Sequence, residues 1–568
     1  MTLLVDPPPP RDRGGQRQST QRSATDQLDA PQLDDAQLDD ARLDQAASAQ
    51  PNVATRPGTA PPDTAEPDAA AADTDTAADT GTAALPKLAE PPIPGGRVEA
   101  AMGVVIRVLS HSPLARPLPA VILSALGLGG VAFVGLCATA PAASVATPPV
   151  LLPLTSVARD LGAPHLPDLL ADVIMYVSIG LSCLGLAMML WANSRGWSPR
   201  PRRVFAAAAA VVAVLVNITP VGSSDAASYA AYGRIAALGY NPYTFKPWQL
   251  PGGAGANPTN PYTMLVAPYW RQTPSVYGPV ATWTQQLAAE IGGSRAWLTL
   301  WILMIMMGAA FLLTGYILLR AAANPVRAAL LWVANPLIII ELVLGGHLDS
   351  LLALFAIAAI VLARRCRTIW HEVAVGLLVG VAGGIKVNAV LVALGIAIPL
   401  LHDRAWGRLL RIGAIAGVTT FCLYAFSYGY SALKPLFHAS GMVISPTVWR
   451  GLQEVVSLVH PHSPHAQALL NTVISFTWPP LMLALAWYLY KRLSPDVPTV
   501  VAASCALTFA WIVVAPWSLP WYSSIAWVTL ALLPRNTLTR WLTLATGTLS
   551  LLHFNGGHPT NVQIGPTP

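Results

Sequence analysis

Few residues of this chain have side chains suited to acid–base chemistry, and they lie in short polar interruptions of an apolar sequence. Asp225 follows Gly222-Ser-Ser and precedes a segment, 226–238, with helical spacing. A carboxylate of ordinary pKa, about 3.9, is ionised at neutral pH and can accept a proton from a hydroxyl group. An Asp before a helix can equally be an N-cap, which stabilises a helix by about 1 kcal/mol. The sequence leaves both roles open for Asp225.

A second polar group, Gly345-Gly-His347-Leu-Asp349-Ser, separates two apolar runs, and Glu341 lies within the first of them. An ionised group at mid-membrane costs about 2.5–3.5 kcal/mol on insertion scales, so such residues are candidates for function. Asp349 as a cap of the following helix is the structural alternative. We therefore interpret His347 and Asp349 as candidate substrate-binding residues.

Lys386 follows Gly383-Gly-Ile inside an apolar stretch. A compact ammonium there suits a lipid-linked phosphate, whereas a lysine whose charge reaches the membrane surface is the structural alternative. Three further candidate substrate-binding residues lie in a long loop with turn-forming Asn-Pro and Gly-Pro pairs: Asn241, Tyr243 and Tyr277. Aromatic residues of this kind form either a floor for sugar stacking or an interfacial belt.

The elements that position these residues must be membrane helices. Of the 568 residues, 54% are hydrophobic and only 11% are charged, whereas soluble domains carry about 25% charged residues. This composition excludes a soluble multidomain enzyme. The net charge of +6 combines −9 in residues 1–96 with +15 in the rest, and the arginines cluster between apolar runs rather than in a nucleic-acid-binding patch. Neither the five cysteines nor the histidines at 438, 460, 462 and 465 have metal-ligand spacing. No metal site is predicted, and the sequence leaves the need for a divalent cation open.

Apolar runs that approach the length needed to cross a hydrocarbon core of about 30 Å begin after Pro117. They predict helices at about 119–141, 170–192, 204–218, 297–319, 328–345, 350–363, 373–385, 387–401, 409–430, 469–490, 499–516, 520–534 and 540–554. Arginine clusters fit about thirteen helices with the N-terminus in the cytoplasm and the C-terminus outside, under the positive-inside rule. A signal peptide is the alternative for the first helix, but the preceding segment is too long for one. The predicted segments are an acidic, disordered Pro/Ala-rich cytoplasmic tail (1–96), a juxtamembrane segment (97–118), three helices (119–218), a large outer loop with Asp225 (219–296), helices with short outer turns (297–430), a second outer loop (431–468), C-terminal helices (469–554) and an outer tail (555–568).

No Gly-rich phosphate loop and no dinucleotide fingerprint is visible, so a sugar donor would have to arrive through the membrane. Over about 117–555 the chain resembles the GT-C superfamily of integral-membrane glycosyltransferases. It is most similar to actinobacterial polyprenol-phosphate-mannose-dependent α-(1→6)-mannosyltransferases, the B type in particular. The motifs that carry this resemblance, in chain order, are Gly-Ser-Ser-Asp225, Gly239-Tyr-Asn-Pro-Tyr-Thr-Phe, Ser275-Val-Tyr-Gly-Pro, Asn335-Pro-Leu with Gly346-His-Leu-Asp-Ser, and Gly384-Ile-Lys-Val-Asn388.

The resemblance implies an all-α GT-C membrane fold with a large first catalytic outer loop, in a multi-pass protein of the plasma membrane. It implies transfer of mannose from polyprenyl-phosphate mannose to an α-(1→6)-mannan glycolipid, the backbone of lipomannan and lipoarabinomannan, by an inverting displacement outside the cytoplasm. Asp225 takes the place of the family's catalytic base. For this chemistry Lys386 and His347 are the predicted phosphate partners, and Asp349 either orients His347 or binds a sugar hydroxyl. Two helices precede Asp225 that many superfamily members lack, so its assignment rests on motif and membrane side. A flippase of lipid-linked sugars and a protein O-mannosyltransferase are the alternative functions.

Overall fold

In a computed structural model of the protein, the described residues are 117–137, 151–251, 260–435, 443–444, 447–461, 463–555 and 558–559. The predicted tail 1–96, nearly all of the juxtamembrane segment 97–118, His438, His462 and most of the predicted outer tail lie outside these ranges. Almost all of the regular structure is helical. The nineteen described α-helices are α1 Pro117–Leu136, α2 Pro153–Asp160, α3 Asp168–Ser194, α4 Pro201–Leu215, α5 Asp225–Ala237, α6 Pro261–Leu265, α7 Pro279–Gly292, α8 Ala296–Ala321, α9 Pro325–Leu331, α10 Pro336–Ile339, α11 Asp349–Arg364, α12 Ile369–Gly383, α13 Val390–His402, α14 Trp406–Ser427, α15 Val448–Val459, α16 Pro464–Arg492, α17 Thr499–Val514, α18 Ser524–Leu532 and α19 Leu538–His553.

Shorter elements connect these helices. Five 3₁₀ turns are described, at Pro247–Gln249, Pro268–Trp270, Val387–Ala389, Gly429–Ala432 and Pro520–Ser523, and a π-helical turn, Ile340–Leu344, continues α10. Two two-residue strands, β1 Phe554–Asn555 and β2 His558–Pro559, pair antiparallel with Phe554 opposite Pro559. Many helices begin with proline, whose fixed φ and missing N–H suit the first helical position.

Five helices are long and apolar enough to cross a membrane, as expected of an integral-membrane protein. They are Pro117–Leu136, Leu169–Ser194, Ala296–Ala321, Trp406–Ser427 and Pro464–Arg492; α9 and α10 with its π turn make a sixth span if counted together. Shorter apolar helices include 369–383, 387–402 and 499–514. Each of the thirteen predicted helices has a helical counterpart among the described residues, but the predicted number of crossings and the GT-C fold stay predictions.

The predicted continuous helix 328–345 was wrong, because the chain breaks into α9 and α10 with a bend of 49°. Asn335 precedes Pro336, and a residue before proline is disfavoured in the α conformation. The Asn335 side chain instead accepts a hydrogen bond from the Leu337 N–H, which caps α10. The loop predicted at 219–296 contains α5, which corresponds to the segment 226–238 with helical spacing, and also α7; the loop predicted at 431–468 contains α15.

Two contacts bring the large outer loop onto the helices that follow it. Helix α5 packs along α7, and α8 packs against both of them and against α11. The Gly278 N–H and the Val280 N–H, at the start of α7, donate hydrogen bonds of 3.0 and 2.7 Å to the carbonyl oxygens of Ile385 and Gly384. These bonds place the start of α7 beside the turn that carries Lys386.

Candidate functional site

Asp225 is the first residue of α5, and its carboxylate faces two tyrosines rather than the free N–H groups of the helix. Its Oδ2 accepts hydrogen bonds from the Tyr229 hydroxyl at 3.2 Å and the Tyr277 hydroxyl at 3.4 Å. Tyr229 lies one turn along the same helix, where residues four apart are neighbours. The N-cap residue of α5 is Ser224. The N-cap alternative therefore does not hold for Asp225, whose side chain is positioned by the two phenols.

The Asp225 side chain is surrounded by protein but keeps 22% of its surface exposed, so a solute can reach it. Burial raises the pKa of Asp225 to about 6. The charge of Lys386 and the two tyrosine hydrogen bonds lower this pKa, and the negative charge of Asp349 raises it. Because desolvation outweighs the stabilising contacts, the carboxyl has a proton affinity suited to a base that operates near neutral pH.

His347 lies beside Asp225, with its Nε2 atom 4.0 Å from the Asp225 Oδ2 atom. The His347 Nδ1 atom hydrogen-bonds the backbone carbonyl of Glu341. A carbonyl only accepts, so Nδ1 carries the proton and Nε2 presents a lone pair. Burial also holds the pKa of His347 well below its usual range, so the ring is neutral. A lone pair cannot donate to a phosphate oxygen, so in this tautomer Nε2 is suited to accept a hydrogen bond from a hydroxyl group. The phosphate-binding role of His347 stays a prediction.

The His347 ring is held by its surroundings. It stacks on the Trp521 ring, with centroids 3.7 Å apart and planes 15° apart, and both side chains are buried. Gly346 has φ +66°, a conformation that favours glycine, and a Cβ added there would lie 2.5 Å from the Met304 Sδ atom. The His347 Nε2 atom has no hydrogen-bond partner among the described residues, so its lone pair is available to accept a hydrogen bond.

Glu341 contributes to this group through its backbone. It lies fully buried in the π-helical turn, and its Oε1 atom accepts a hydrogen bond from Ser550 of α19. Insertion of a π turn displaces the normal helical pairing, and here the Glu341 carbonyl bonds the His347 side chain. Glu341 therefore positions His347, and its carboxyl side chain is partnered by a hydroxyl.

Lys386 and Asp349 form a buried ion pair, with 2.8 Å between the Lys386 Nζ and the Asp349 Oδ2 atoms. The Lys386 ammonium also lies 3.9 Å from the centre of the Tyr522 ring and 6.0 Å from that of Tyr277. Burial lowers the pKa of Lys386, but the carboxylate of Asp349 raises it, and the balance lies above the usual value. Lys386 is therefore a cation whose charge is already partly balanced, and the Asp349 Oδ1 atom has no partner among the described residues.

Asn241 and Tyr243 are used elsewhere in the protein. The Asn241 Nδ2 donates to the Ser431 Oγ at 2.8 Å, and its Oδ1 accepts from the Tyr243 N–H. The Tyr243 hydroxyl is 2.8 Å from the Thr282 hydroxyl, and the ring is buried. Within the described ranges, no hydrogen bond or ion pair joins either residue to Asp225. The structure thus brings Tyr277, His347, Asp349 and Lys386 to Asp225 but leaves these two predicted residues outside the group.

Sequence reasoning gave no site role to Tyr229, Trp521 or Tyr522. Tyr229 was visible as a tyrosine four residues after Asp225, which is the spacing of neighbours on a helix. Trp521 and Tyr522 follow Pro520 between apolar runs, and we predicted one continuous helix over 520–534 there. The 3₁₀ turn Pro520–Ser523 instead directs both aromatic side chains to His347 and Lys386. Across the part of the chain that the structure describes, no three His, Cys, Asp or Glu side chains gather as metal ligands.

Comparison with known proteins gives consistent matches. Residues 124–402, about half of the chain, match the family described as "Alpha-(1->6)-mannopyranosyltransferase, N-terminal domain". Alpha-(1→6)-mannopyranosyltransferase A of Corynebacterium glutamicum is 26% identical over 55% of this chain and 67% of its own length. Alpha-(1→6)-mannopyranosyltransferase B of the same organism is 30% identical over 38% of this chain and 37% of its own. An alpha-(1→6)-mannopyranosyltransferase of Mycobacterium tuberculosis is 30% identical over 24% of this chain and 23% of its own. No solved structure matches the chain.

Proposed function

The chain belongs to the family of alpha-(1→6)-mannopyranosyltransferases, and from this premise we propose that it transfers mannose from polyprenyl-phosphate mannose to an α-(1→6)-mannan glycolipid. The site lies outside the cytoplasm in this proposal, and the arginine clusters lie inside. The observation that carries the proposal is the partly exposed carboxylate of Asp225, held by two tyrosine hydroxyls beside the lone pair of a neutral His347.

The reaction needs a base for the acceptor's hydroxyl and a leaving group that departs from C1 of the mannose. The acceptor's 6-hydroxyl gives its proton to Asp225 as its oxygen forms a bond to C1 of the mannose. The bond from C1 to the phosphate oxygen breaks, and polyprenyl phosphate leaves with the electron pair. Attack opposite the leaving group converts a β-linked donor into an α-linked product. A positioned base of this kind contributes about 10²–10⁴-fold to the rate, and alignment of the two substrates supplies a further factor.

Neighbouring residues would position the substrates. An ammonium has three donor hydrogens, and Asp349 takes one of those of Lys386, so others are available to the phosphate. The unpaired Nε2 of His347 would accept a hydrogen bond from a sugar hydroxyl, and the Asp349 Oδ1 atom could accept another. In this arrangement Asp225 faces the hydroxyl of the acceptor, and Lys386 faces the phosphate of the donor. His347 and Asp349 accept hydrogen bonds from sugar hydroxyls.

The test uses purified protein, labelled polyprenyl-phosphate mannose and defined acceptors. We expect Asp225→Asn to lower transfer to a short α-(1→6)-mannoside by at least about 10²-fold while donor binding is kept. Asp160→Asn is the matched control, because Asp160 is exposed and bonds only the neighbouring Arg159 among the described residues. Full activity of Asp225→Asn would remove Asp225 from the mechanism. Transfer to a Ser/Thr peptide instead of the mannoside would identify a protein O-mannosyltransferase.

A further inference from the structure

A long apolar groove lies beside the candidate site, between α13 and α14, with the ends of α12 and of the Val387–Ala389 turn in its wall. Its volume is about 670 Å³. Of the residues that line it, only Thr420 and Tyr424 carry a side-chain polar group. The groove therefore offers almost nothing to hydrogen-bond a sugar or a peptide, and burial there is favourable for an apolar chain.

One end of the groove adjoins the site through shared residues. Val387 and Gly383 line the groove on either side of the turn that carries Lys386. The Tyr424 hydroxyl, also in the lining, donates to the Gly383 carbonyl at 3.4 Å, and a Cβ added at Gly278 would lie 3.0 Å from that hydroxyl. Gly278 directly follows Tyr277, which bonds Asp225. Gly278, Gly383 and Tyr424 thus lie between the groove and the polar side chains around Asp225.

The other end of the groove reaches Leu400 and Leu409, on either side of the turn that joins α13 and α14. A chain lying in the groove would follow α13 along its thirteen residues, a length of about 20 Å at 1.5 Å per residue. The groove is thus apolar along its length, and the turn that carries Lys386 lies at one end of it.

We propose that this groove holds the isoprenoid chain of the lipid-phosphate donor and brings its phosphate to the Lys386 end. The inference rests on the proposed function, since it assigns the tail of that function's donor. An occupant with an apolar chain and an anionic head matches both observations, the lining and the cation. An acyl chain of a bilayer phospholipid is the competing occupant that the experiment must separate.

Two glycines allow the groove to be filled without disturbing the protein. Gly413 and Gly417 of α14 both line it, and a Cβ added to either meets no atom within 4 Å. Leucine also favours a helix over glycine, so Gly413→Leu and Gly417→Leu should fold. Gly180→Leu in α3 is the matched control, because Gly180 has the same open space and lies outside the groove.

The experiment compares two donors, polyprenyl-phosphate mannose and a mannosyl phosphate with two isoprene units. We expect both groove-filling variants to raise KM for the long donor at least tenfold and to leave the short donor within twofold, with Gly180→Leu unchanged. An unchanged KM for the long donor, or equal losses with both donors, would overturn the assignment.

A binding experiment separates this inference from the proposed activity. A photoreactive isoprenoid phosphate without a sugar should label peptides of α13 and α14, and polyprenyl phosphate should compete while phosphatidylglycerol should not. Equal competition by phosphatidylglycerol, or labelling of other helices, would overturn the inference. Labelling of the groove in a protein that transfers no mannose would refute the proposed function alone and leave the groove assigned to a lipid phosphate.

Discussion

The pH dependence of transfer should report the carboxyl of Asp225. Its pKa is raised to about 6 by burial, so it can accept a proton only above that pH. The acid limb of kcat/KM reflects the ionisation of the free enzyme's base. We expect a plateau above about pH 7 and a loss approaching tenfold per pH unit below about pH 6. A solvated aspartate, with a pKa of about 3.9, would keep its activity to nearly pH 4.

Removing the hydroxyl of Tyr229 or Tyr277 should move the acid limb of kcat/KM to higher pH. The bonds to the carboxylate from Tyr229 and Tyr277, at 3.2 and 3.4 Å, favour its ionised form and lower its pKa. A long hydrogen bond of this kind is worth about 1 kcal/mol, and 1.36 kcal/mol corresponds to one pH unit. Tyr229→Phe and Tyr277→Phe should therefore each move the acid limb upward by roughly 0.7 pH unit.

The assay measures initial rates at limiting donor between pH 4.5 and 8.5, in buffers of constant ionic strength. Tyr232→Phe is the control, because its hydroxyl bonds the Thr273 carbonyl at 3.0 Å and makes no hydrogen bond to the carboxylate. An acid limb near pH 4 in the unaltered protein would contradict the desolvated base. A limb that stays in place in both phenylalanine variants of Tyr229 and Tyr277 would contradict the hydrogen-bonded geometry.

Three further outcomes follow from charges described above. The folded pKa of Asp225 lies above its unfolded value of 3.8, so its ionisation costs stability as pH rises from about 4 to 6, and above that range the cost is up to about 3 kcal/mol. Asp225→Asn should thus unfold at a higher temperature than the unaltered protein at pH 7.5 and lose that advantage near pH 4; equal melting temperatures at pH 7.5 would count against burial. Lys386→Met leaves Asp349 as a buried unpaired charge and should cost about 3–5 kcal/mol, whereas adding Asp349→Asn should restore much of the melting temperature in detergent. In a cysteine-free background, Glu290→Cys should react with an impermeant maleimide from outside the cell and Arg404→Cys only after lysis; both residues are exposed, and the reverse pattern would refute the orientation.

Hydropathy predicted the helices well because burial in lipid or protein determines where they form. Every predicted apolar run contains a helix in the described ranges. The break between α9 and α10 was missed although Asn335-Pro336 marks it, because an apolar run through a Pro has the same hydropathy as an unbroken one. Ser275, which the predicted topology exposes in an outer loop, is fully buried, since loop position alone does not give packing.

The candidate site could be predicted in part. Asp225, His347, Asp349 and Lys386 stand out because a charge in an apolar chain is costly, and the structure brings them together. Their hydrogen-bonding roles depend on geometry that no spacing encodes. The neutral tautomer of His347 follows from its contact with the carbonyl of Glu341, a residue of the π turn.

The aromatic wall of the site has a consequence for how the protein is made. Asp225, Asp349 and Lys386 lie within the first 386 residues of the chain, but Trp521 and Tyr522 leave the ribosome more than a hundred residues after Lys386. Until they emerge, His347 has no ring to stack on and the ammonium lacks its nearest aromatic face. A nascent chain that stalls before the Pro520–Ser523 turn would therefore hold its base and its cation in the membrane without the geometry to use them, so catalytic competence is acquired only near the end of translation.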